Sequence, residues 1–368
     1  MSEKQLDIVH TESSMGWGGQ ELRILTESEG MIRRGHNVRI VCPRDAKIFD
    51  AAAGRGIPVE PLPIRRRNFK AFGAVRQWLK NNRADVINTH SSTDSWLFSI
   101  AAKLFSPKTP TVRTRHIGAP VPRDFLTRWL YAKGARMVVA CGSKLREALV
   151  RDNRIPDDHV ISIPTGIDTT RFQPGSREEA RRELNLPLDK QIVGIVATFR
   201  AGKGHKHLLD AVHQLARKDL MVLIVGDGPY REQIEQHIAD LGLADQIVMP
   251  GNQHDVVPWL RAMDIFVLSS WAIEGVSQAV MQAMSCGVPV VATSVGSIAD
   301  AVVHEETGII VPPEDPPALA EALQKLLDDD VLRERFGRES RQRAAERFGI
   351  GRMIDCMEGA FLRVARAA

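Results

Sequence analysis

The chain has 368 residues, of which 43% are hydrophobic and 26% are charged, and its formal net charge is +4. This length predicts two domains, and the small net charge argues against the strongly basic class of nucleic-acid binders. No apolar run approaches the roughly 18 residues of a membrane span, and the N-terminus lacks a signal-peptide core, so we expect a cytoplasmic protein.

The cysteines are four in number and scattered, with no CxxC pair. This pattern predicts reduced core thiols and argues against disulfides and structural zinc. The four residues are Cys42, Cys141, Cys286 and Cys356.

The first half alternates short β-branched runs with longer helical patterns, which is typical of a parallel α/β sheet. The predicted strands are LDIVH (6–10), NVRIVCP (37–43), VEPLPI (59–64), DVINTH (85–90), TVRTRHI (111–117), MVVACG (137–142) and VISIPTG (160–166). Ligands of such sheets bind outside the carboxyl ends of the strands, so the loops that follow the strands are the candidate sites.

The first of these loops is SSMGWGGQELRIL (13–25), in which Gly18 and Gly19 open a helix. Glycine lets the backbone approach a ligand closely, and the free N–H groups of a helix start attract anions. The spacing is not GxGxxG and no acidic residue ends the second strand, which argues against a nicotinamide nucleotide. A tight turn that requires glycine is the alternative interpretation.

Two predicted strands of the first half carry a histidine at their carboxyl end, His90 and His116. A histidine at a strand end is often structural. The expected place of His116 in the wall of a cleft between two domains favours a functional role.

The segment PTGIDTTRFQPGS (164–176) is rich in turn residues and is the predicted linker. The same alternation then restarts, with predicted strands IVGIVATF (192–199), MVLIVGDG (221–228), IVMPGN (247–252), IFVLSS (265–270), VPVVAT (288–293) and GIIVPP (308–313). We therefore predict a first domain at 1–170 and a second at 171–347. A C-terminal helix at 348–368, with a break near Gly349–Gly351, is expected to pack back on the first domain.

The loop ATFRAGKGHKHLL (197–209) places Arg200, Lys203 and Lys206 beside two glycines at a strand-to-helix turn. Cations there suit a diphosphate, by charge and by the forked hydrogen bonds of arginine. The P-loop pattern GxxxxGK[ST] is absent. A solvated basic turn is the alternative.

The stretch SSWAIEGVSQAVMQAMSCGVPVVAT (269–293) has an acidic residue, Glu274, before an apolar helix. A carboxylate can accept hydrogen bonds from sugar hydroxyls, and the amides of Gly275, Val276 and Ser277 at the helix start favour an anion. Gln282 lies eight residues after Glu274, about 80° away on the same helix if the whole segment were helical. The two residues are thus predicted to touch two parts of one long ligand. A cap or surface role for Glu274 is the alternative.

These loops together resemble the family-4 glycosyltransferases of the GT-B fold, and among them the bacterial lipopolysaccharide and polysaccharide sugar transferases. The resemblance covers nearly the full chain. It rests on EGVSQAVMQAMSCGVPVVATSVGSIAD and, in order along the chain, on GWGGQE, VVACGSKLREAL, IPTGIDTTRFQP, VATFRAGKGHKHLLDAV and IVGDGPYREQIE. It implies two Rossmann-like doubly wound domains that face a central cleft.

The resemblance also implies a reaction: a sugar moves from a nucleotide donor to an acceptor hydroxyl, with retention at the anomeric carbon and without a metal or other cofactor. A UDP-sugar is the first expectation and a GDP-sugar the second. Glu274 is then expected to hold donor-sugar hydroxyls, and His116 to lie near the sugar.

The remaining roles follow from the same resemblance. Arg200, Lys203 and the amides at 275–277 are expected to stabilise the leaving diphosphate. The phosphate and acceptor side would be lined by Gly18 and Gly19, and the base would be framed by Gly226, Gly228, Asn252 and Gln253.

The sequence departs from the family pattern at three places. The second glutamate of the family pair, the usual ribose partner, is Gln282. The position of the usual arginine, five before the lysine, is Thr198, while Arg200 stands three before it. SVGSIAD (294–300) replaces the more usual double glycine and terminal glutamate.

The chemistry of the residues agrees with transfer. Cleavage of a glycosyl–phosphate bond develops negative charge on the diphosphate, which fixed amides and cations stabilise. A retaining hydrolase needs two carboxylates about 5 Å apart, and the loops identified offer one, Glu274. We expect attack from the front face, with a donor phosphate oxygen taking the acceptor proton. A GT-B epimerase or phosphorylase, or a noncatalytic nucleotide-sugar-binding module, are the alternatives.

Two segments of the first half, 64–83 and 123–137, mix cations with apolar residues, as membrane-surface helices do. A solvated helix face with its Trp and Phe directed to the core is the alternative. Together with the resemblance, these segments predict peripheral attachment to the inner face of the cell membrane and a glycan or lipid-linked acceptor.

Overall fold

The computed structural model describes residues 5–272 and 274–366, which divide into two compact units. Unit 1 extends to Gly166 and resumes at Ile350, and unit 2 is Ile167–Gly349. The first crossing between units falls inside the predicted linker at 164–176. The second falls inside the predicted break at Gly349–Gly351.

Unit 1 contains a seven-stranded, fully parallel sheet with the order β3-β2-β1-β4-β5-β6-β7. Its strands are β1 (Asp7–Thr11), β2 (Asn37–Cys42), β3 (Val59–Pro61), β4 (Val86–Thr89), β5 (Thr111–Arg115), β6 (Met137–Ala140) and β7 (Val160–Ser162). The sheet order reverses between β1 and β4, which makes this the topological switch point where ligands of doubly wound sheets bind.

The helices of unit 1 that connect these strands are α1 (Gly19–Arg33), α2 (Lys47–Gly54), α3 (Phe69–Asn81), α4 (Ser92–Phe105), α5 (Phe125–Trp129) and α6 (Ser143–Arg151). A π-helical turn, Leu130–Gly134, extends α5, and a 3₁₀ turn, Asp157–His159, precedes β7.

Unit 2 contains a six-stranded, fully parallel sheet with the order β10-β9-β8-β11-β12-β13. Its strands are β8 (Gln191–Val196), β9 (Leu220–Val225), β10 (Ile247–Gly251), β11 (Ile265–Leu268), β12 (Val290–Thr293) and β13 (Gly308–Val311). Here the order reverses between β8 and β11.

The helices of unit 2 are α7 (Arg177–Glu183), α8 (His205–Leu215), α9 (Arg231–Asp240), α10 (Val257–Ala262), α11 (Gln278–Ser285), α12 (Ile298–Ala301), α13 (Pro316–Asp328) and α14 (Asp330–Phe348). Short 3₁₀ turns lie at Ala201–Lys203 and Ala244–Gln246.

The last helix, α15 (Ile350–Arg366), belongs to unit 1. Its buried face includes Met357 and Phe361, which lie in one apolar cluster with Ile8 of β1. Gly30 of α1 lets α15 pack closely against α1, since a Cβ at Gly30 would lie 2.5 Å from the Ile354 side chain.

Each sheet is buried on both faces, which explains the continuous apolar runs in the sequence. On β8, for example, Ile192 lies in one core cluster whereas Val193 and Ile195 lie in another, because successive side chains of a strand point to opposite faces. The α/β class with two Rossmann-like sheets is therefore confirmed.

Most of the predicted strands end earlier in the structure than expected, and two of them serve as examples. VEPLPI was predicted over 59–64, but β3 ends at Pro61, after which the Ile64 N–H turns back to the Leu62 carbonyl at 2.8 Å. The fifth strand ends at Arg115, so His116 lies in the following loop.

Within residues 5–272 and 274–366, none of the helices is both long and apolar enough to span a membrane. All four cysteines are free thiols.

Candidate active site

The predicted phosphate- and sugar-binding residues of unit 2 lie in the loops after β8 and β11, at the switch point of the sheet. The loop after β8 makes a 3₁₀ turn over Ala201–Lys203 and then enters α8 through Gly204. Gly204 has φ +70°, and a Cβ there would lie 1.8 Å from the Ser269 carbonyl oxygen. Glycine is therefore required for the turn to pack against the loop after β11.

Hydrogen bonds hold the two loops together. The Gly202 carbonyl accepts from the Trp271 N–H at 3.0 Å and from the Ala272 N–H at 3.2 Å. The Trp271 indole N–H donates to the Ala201 carbonyl at 2.9 Å. These contacts fix the position of Lys203 relative to the loop that carries Glu274.

The centre of this arrangement is an ion pair between Lys203 and Glu274. The Lys203 Nζ donates to Glu274 Oε1 at 2.6 Å, and the Ser270 hydroxyl donates to the same oxygen at 2.8 Å. The side chains are 29% and 14% exposed, respectively, so the pair is open to solvent on one side. Glu274 Oε2 makes no hydrogen bond to a described residue and is available to a ligand.

The backbone of Glu274 is fixed from a third loop. Gly296 has φ +53°, and a Cβ there would lie 1.8 Å from the Glu274 carbonyl oxygen. The segment SVGSIAD (294–300) stands where the family usually has a double glycine. It keeps the one glycine that this contact requires.

Gly275, Val276 and Ser277 lead directly into α11, whose N-cap is Ser277. The Ser277 hydroxyl accepts from the Val280 N–H at 3.5 Å. The helix begins only at Gln278, so the wholly helical spacing between Glu274 and Gln282 does not apply. Gln282 lies on the second turn of α11 and is partly exposed.

The other predicted donor-side residues lie in the same loop after β8 and in the loops after β9 and β10. Arg200 is exposed at the N-cap of the 201–203 turn. Gly226 and Gly228 follow β9, and a Cβ on them would collide with the Ala197 and Phe199 carbonyl oxygens, respectively.

The loop after β10 carries the last two predicted residues of this group. Asn252 is exposed, and the Gln253 side-chain amide donates to the Pro250 carbonyl at 2.9 Å. The roles predicted for these residues toward a donor stay predictions.

One residue of this region was missed from the sequence. His205, the first residue of α8, is buried against Phe199, and neither ring nitrogen has a hydrogen-bond partner among the described residues. Burial, and then the charge of Lys203, lowers its pKa to about 4, so the ring is neutral.

Unit 1 has a separate cluster at its own switch point, where β1 and β4 end. His10 Nδ1 lies 2.9 Å from His90 Nε2, and His90 Nδ1 lies 2.8 Å from His116 Nε2. His10 and His90 are buried, whereas His116 is partly exposed. The structure therefore brings His90 and His116 together and joins both to a histidine that the sequence did not single out.

Two buried carboxylates flank the histidines. Glu12, directly after β1, accepts from the side chains of Gln20 and Ser91 and from the Ser14 N–H at 2.6 Å. Burial raises the pKa of Glu12, and the charge of Asp94 adds to this.

Asp94 forms a capping box with Ser91 at the start of α4 and also accepts from the Thr11 hydroxyl at 2.8 Å. Burial raises its pKa as well.

A third buried carboxylate, Glu27 of α1, lies behind the histidines. Asn88 donates to its Oε1 at 3.2 Å, and the Arg23 Nε lies 3.7 Å from its Oε2. Burial raises the pKa of Glu27 to about 7, with Arg23 opposing the shift.

The predicted glycines of unit 1 lie at the entrance of α1. Gly18 is the N-cap and Gly19 the first helical residue, and Trp17 beside them is 46% exposed. Gly18 has no side chain that could cap the helix, so the first N–H groups of α1 receive no side-chain hydrogen bond from the N-cap.

The sequence contained weak signals for the missed carboxylates. Glu12 follows a strand at the ligand-binding edge of the sheet, and SSTD (91–94) matches the capping-box pattern directly after His90. Glu27 stands four residues after Arg23 on an otherwise apolar helix face.

Over the described ranges 5–272 and 274–366, His, Cys, Asp and Glu side chains form no cluster of three suited to a metal ion. The unit 2 cluster offers a carboxylate for hydroxyl groups, two cations and a helix start for an anion. This set fits a ligand with a sugar at one end and phosphates beside it.

Two family models match the chain. Residues 17–171 match "Glycosyltransferase Family 4", and residues 176–343 match "Glycosyl transferases group 1". The two matches fall on units 1 and 2, respectively.

Among curated relatives, the D-inositol 3-phosphate glycosyltransferase of Corynebacterium efficiens is 34% identical, over 89% of this chain and 86% of its own length. The lipopolysaccharide core biosynthesis mannosyltransferase LpsB of Rhizobium meliloti is 36% identical, over 45% of this chain and 49% of its own.

Among solved structures, HepE of Anabaena in complex with UDP has a TM-score of 0.86 at 20% identity, over 96% of this chain and 99% of its own. At this identity the match shows the fold alone. Family models, relatives and fold agree with the resemblance read from the motifs. The chain therefore belongs to the family-4 glycosyltransferases and has the GT-B fold.

Proposed function

We propose that this protein transfers a hexose-type sugar from a nucleotide-diphosphate donor to a hydroxyl of a glycan or lipid-linked acceptor, with retention of configuration and without a metal. UDP-sugars are the first choice of donor and GDP-sugars the second. The proposal places the reaction in lipopolysaccharide or polysaccharide synthesis, and LpsB, a lipopolysaccharide core mannosyltransferase by name, supports this setting.

The observation that carries the proposal is the contact of Lys203 and Ser270 with one oxygen of Glu274. This contact leaves Glu274 Oε2 to accept donor-sugar hydroxyls while the carboxylate is held in place. The Lys203 ammonium can at the same time lie beside the phosphate that leaves the sugar, since the two loops converge at the same strand ends.

Cleavage of the donor moves negative charge onto the diphosphate. Lys203, Arg200 and the amides of 275–277 are proposed to stabilise this charge, because preorganised donors need no rearrangement as it develops. Glu274 is proposed to hold the sugar and not to attack it, because the ion pair with Lys203 and the hydrogen bond from Ser270 make its carboxylate a weaker nucleophile. The acceptor proton passes to a donor phosphate oxygen.

The choice of donor base is supported by a protein of the same fold. HepE, which shares the fold, has been solved with UDP and with UDP-glucose. We propose that the base lies among the loops of Gly226, Gly228, Asn252 and Gln253, and that the Gln282 amide contacts the ribose.

A membrane-proximal acceptor is supported by the surface of unit 1. Phe69 at the start of α3 is 96% exposed, and Phe125 at the start of α5 is 79% exposed. A pocket of about 420 Å³ beside Phe69 is lined by several cations, including Arg65, Arg66 and Lys70. Trp78 in the same helix is buried, so the helix contributes to the core and to this surface. We propose peripheral attachment to the cytoplasmic face of the membrane.

The test is a panel of UDP- and GDP-sugars offered to the purified protein. A bound donor raises the melting temperature by mass action. We expect stabilisation by a UDP-sugar together with release of UDP, faster when a lipopolysaccharide-type oligosaccharide is added. Stabilisation without any turnover would favour the noncatalytic binding module, and no response to any donor would contradict the proposal.

A further inference from the structure

The three histidines of unit 1 connect the surface to the interior. His116 is partly exposed after β5, His90 directly follows β4, and His10 lies inside β1. Their rings are joined by nitrogen pairs 2.8 and 2.9 Å apart, which is hydrogen-bond distance. His116 Nδ1, the nitrogen outside this chain of rings, makes no hydrogen bond to a described residue.

The buried end of the chain faces Glu27. His10 Nε2 lies 3.9 Å from Glu27 Oε1, and both side chains are fully buried. His10 Nε2 and Glu27 Oε2 have no hydrogen-bond partner among the described residues. The Glu27 carboxylate thus lies within 4 Å of this ring nitrogen, and because both side chains are fully buried, solvent screens their interaction weakly.

A neutral imidazole has one N–H and one lone pair. In a chain of three neutral rings, every N–H must therefore point the same way, either toward Glu27 or toward the surface. Burial keeps the rings neutral, because it lowers the pKa of His10 to about 3 and those of His90 and His116 well below 6.5.

We propose that Glu27 is a positioning residue for His116: through His10 and His90, its ionised carboxylate directs every N–H inward and leaves His116 Nδ1 as a hydrogen-bond acceptor for a substrate hydroxyl. This inference rests on the proposed contact of His116 with the donor sugar. When Glu27 is protonated, the negative charge that favours an inward N–H on His10 is lost while the positive charge of Arg23 remains, so the chain reverses and His116 Nδ1 becomes a donor.

Four elements of unit 1 place side chains around Glu27 and the histidines. Arg23 of α1 opposes the raised pKa of Glu27, and Asn88 of β4 donates to its Oε1. From α15, Met357 and Phe361 cover Arg23 and His10, respectively, and bring no charge. Arg113 of β5 bonds to Ser91 and Ser95 on the other side of His90. Glu12 and Asp94, which flank the histidines, also titrate near neutral pH, with pKa values of about 8 and about 6. Glu27, with a pKa of about 7, is the carboxyl that lies within 4 Å of His10 Nε2, and the Glu27→Gln variant separates its effect from theirs.

The test is NMR of the full-length protein with histidine labelled at its ring nitrogens, at pH 8.5 and pH 5.5, with His116 assigned by a His116→Gln spectrum. In the wild type we expect His116 to carry its proton on Nε2 at the higher pH and on Nδ1 at the lower, an inversion of the two tautomers. Glu27→Gln abolishes the inversion. Glu29→Gln, a matched control on the exposed side of the same helix, retains it.

A wild-type His116 with the same tautomer at both pH values overturns the proposal, and so does an inversion that persists in Glu27→Gln. If Glu27→Gln does not fold, His10→Gln interrupts the chain at the next residue and gives the same comparison. Inversion in the wild type, with sugar transfer unchanged in His116→Gln, would support the relay and contradict the contact of His116 with the sugar.

Discussion

The two units have the same sheet architecture, yet the polar groups at their switch points differ in exposure. In unit 2 the pair Lys203 and Glu274 is 29% and 14% exposed. In unit 1 the side chains of His10 and Glu27 are fully buried. A partly exposed ion pair exchanges partners at little cost, whereas a buried polar network is costly to rearrange.

This difference indicates a division of tasks. The groups of unit 2 can release one partner and accept a ligand's phosphates and hydroxyls in its place. The groups of unit 1 keep the same hydrogen-bond partners and lie close to neutrality, because burial raises the pKa values of its carboxyls and lowers those of its histidines. We therefore expect charge chemistry in unit 2 and geometric control in unit 1.

The largest effect is expected from Glu274→Gln. The substitution removes the anion that Lys203 faces and weakens the grip on the sugar, so kcat/KM for transfer should fall about 100-fold or more. Steady-state kinetics of UDP release with acceptor present measure it. Glu178→Gln, which removes one carboxylate of the surface pair with Arg182, is the matched control and should change little. If kcat/KM of Glu274→Gln were within a few-fold of the wild-type value, the ion pair would not be needed for transfer.

The next effect concerns the turn that holds Lys203. Gly204→Ala combines a left-handed backbone with a collision against the Ser269 carbonyl, whereas Gly242→Ala has a similar φ, +66°, and nothing within 4 Å. We expect Gly204→Ala to lower the free energy of unfolding by about 2 kcal/mol more than Gly242→Ala does. Chemical denaturation of both variants tests this, and equal losses would show that Ser269 does not constrain the turn.

A smaller effect is expected in the pH dependence of the stability of unit 1. The pKa of Glu12 is raised above its ordinary 4.5 by burial, so its contribution to stability is full below that value and is lost as pH rises through the folded pKa. Glu12→Gln should therefore gain stability relative to the wild type between pH 5 and pH 9, by about 1 kcal/mol or more.

Urea unfolding at the two pH values measures this gain. Gln20, whose amide donates to Glu12, can turn to accept from the new amide. A stability difference that does not vary with pH would mean that Glu12 is ionised in the folded protein.

The smallest effect is expected at the surface of unit 1. Phe69→Ser should weaken binding to anionic lipid vesicles about five- to ten-fold at low salt, because an exposed aromatic side chain loses its burial in the interface. Vesicle co-sedimentation measures binding. Val331→Ser, at a position in unit 2 that is 78% exposed, is the control. Equal binding by the wild type, Phe69→Ser and Val331→Ser would exclude the surface around Phe69 as the membrane contact.

Much of the fold could be predicted because its cause is local. Strands buried on both faces give short apolar runs, and each of the predicted runs overlaps a strand of the structure. The loops of Lys203 and Glu274 could be predicted as well, since in such sheets the ligand site lies after the strands. What failed locally was the spacing from Glu274 to Gln282, because Gly275–Ser277 form the entrance to α11 and not part of it.

The buried network of unit 1 could not be predicted, because its contacts join distant parts of the chain. Glu27 meets Asn88 across 61 positions, and Thr11 meets Asp94 across 83. Each residue alone is an ordinary helix or strand residue, and only the packing of β1 and its helix against β4 and its helix brings them together.

The most direct test of the account is a crystal structure with a bound UDP-sugar. We predict that the pyrophosphate lies beside Lys203, Arg200 and the backbone amides of 275–277, and that Glu274 is hydrogen-bonded to the sugar hydroxyls. A pyrophosphate bound elsewhere, with the Lys203–Glu274 pair and the start of α11 untouched, would contradict it.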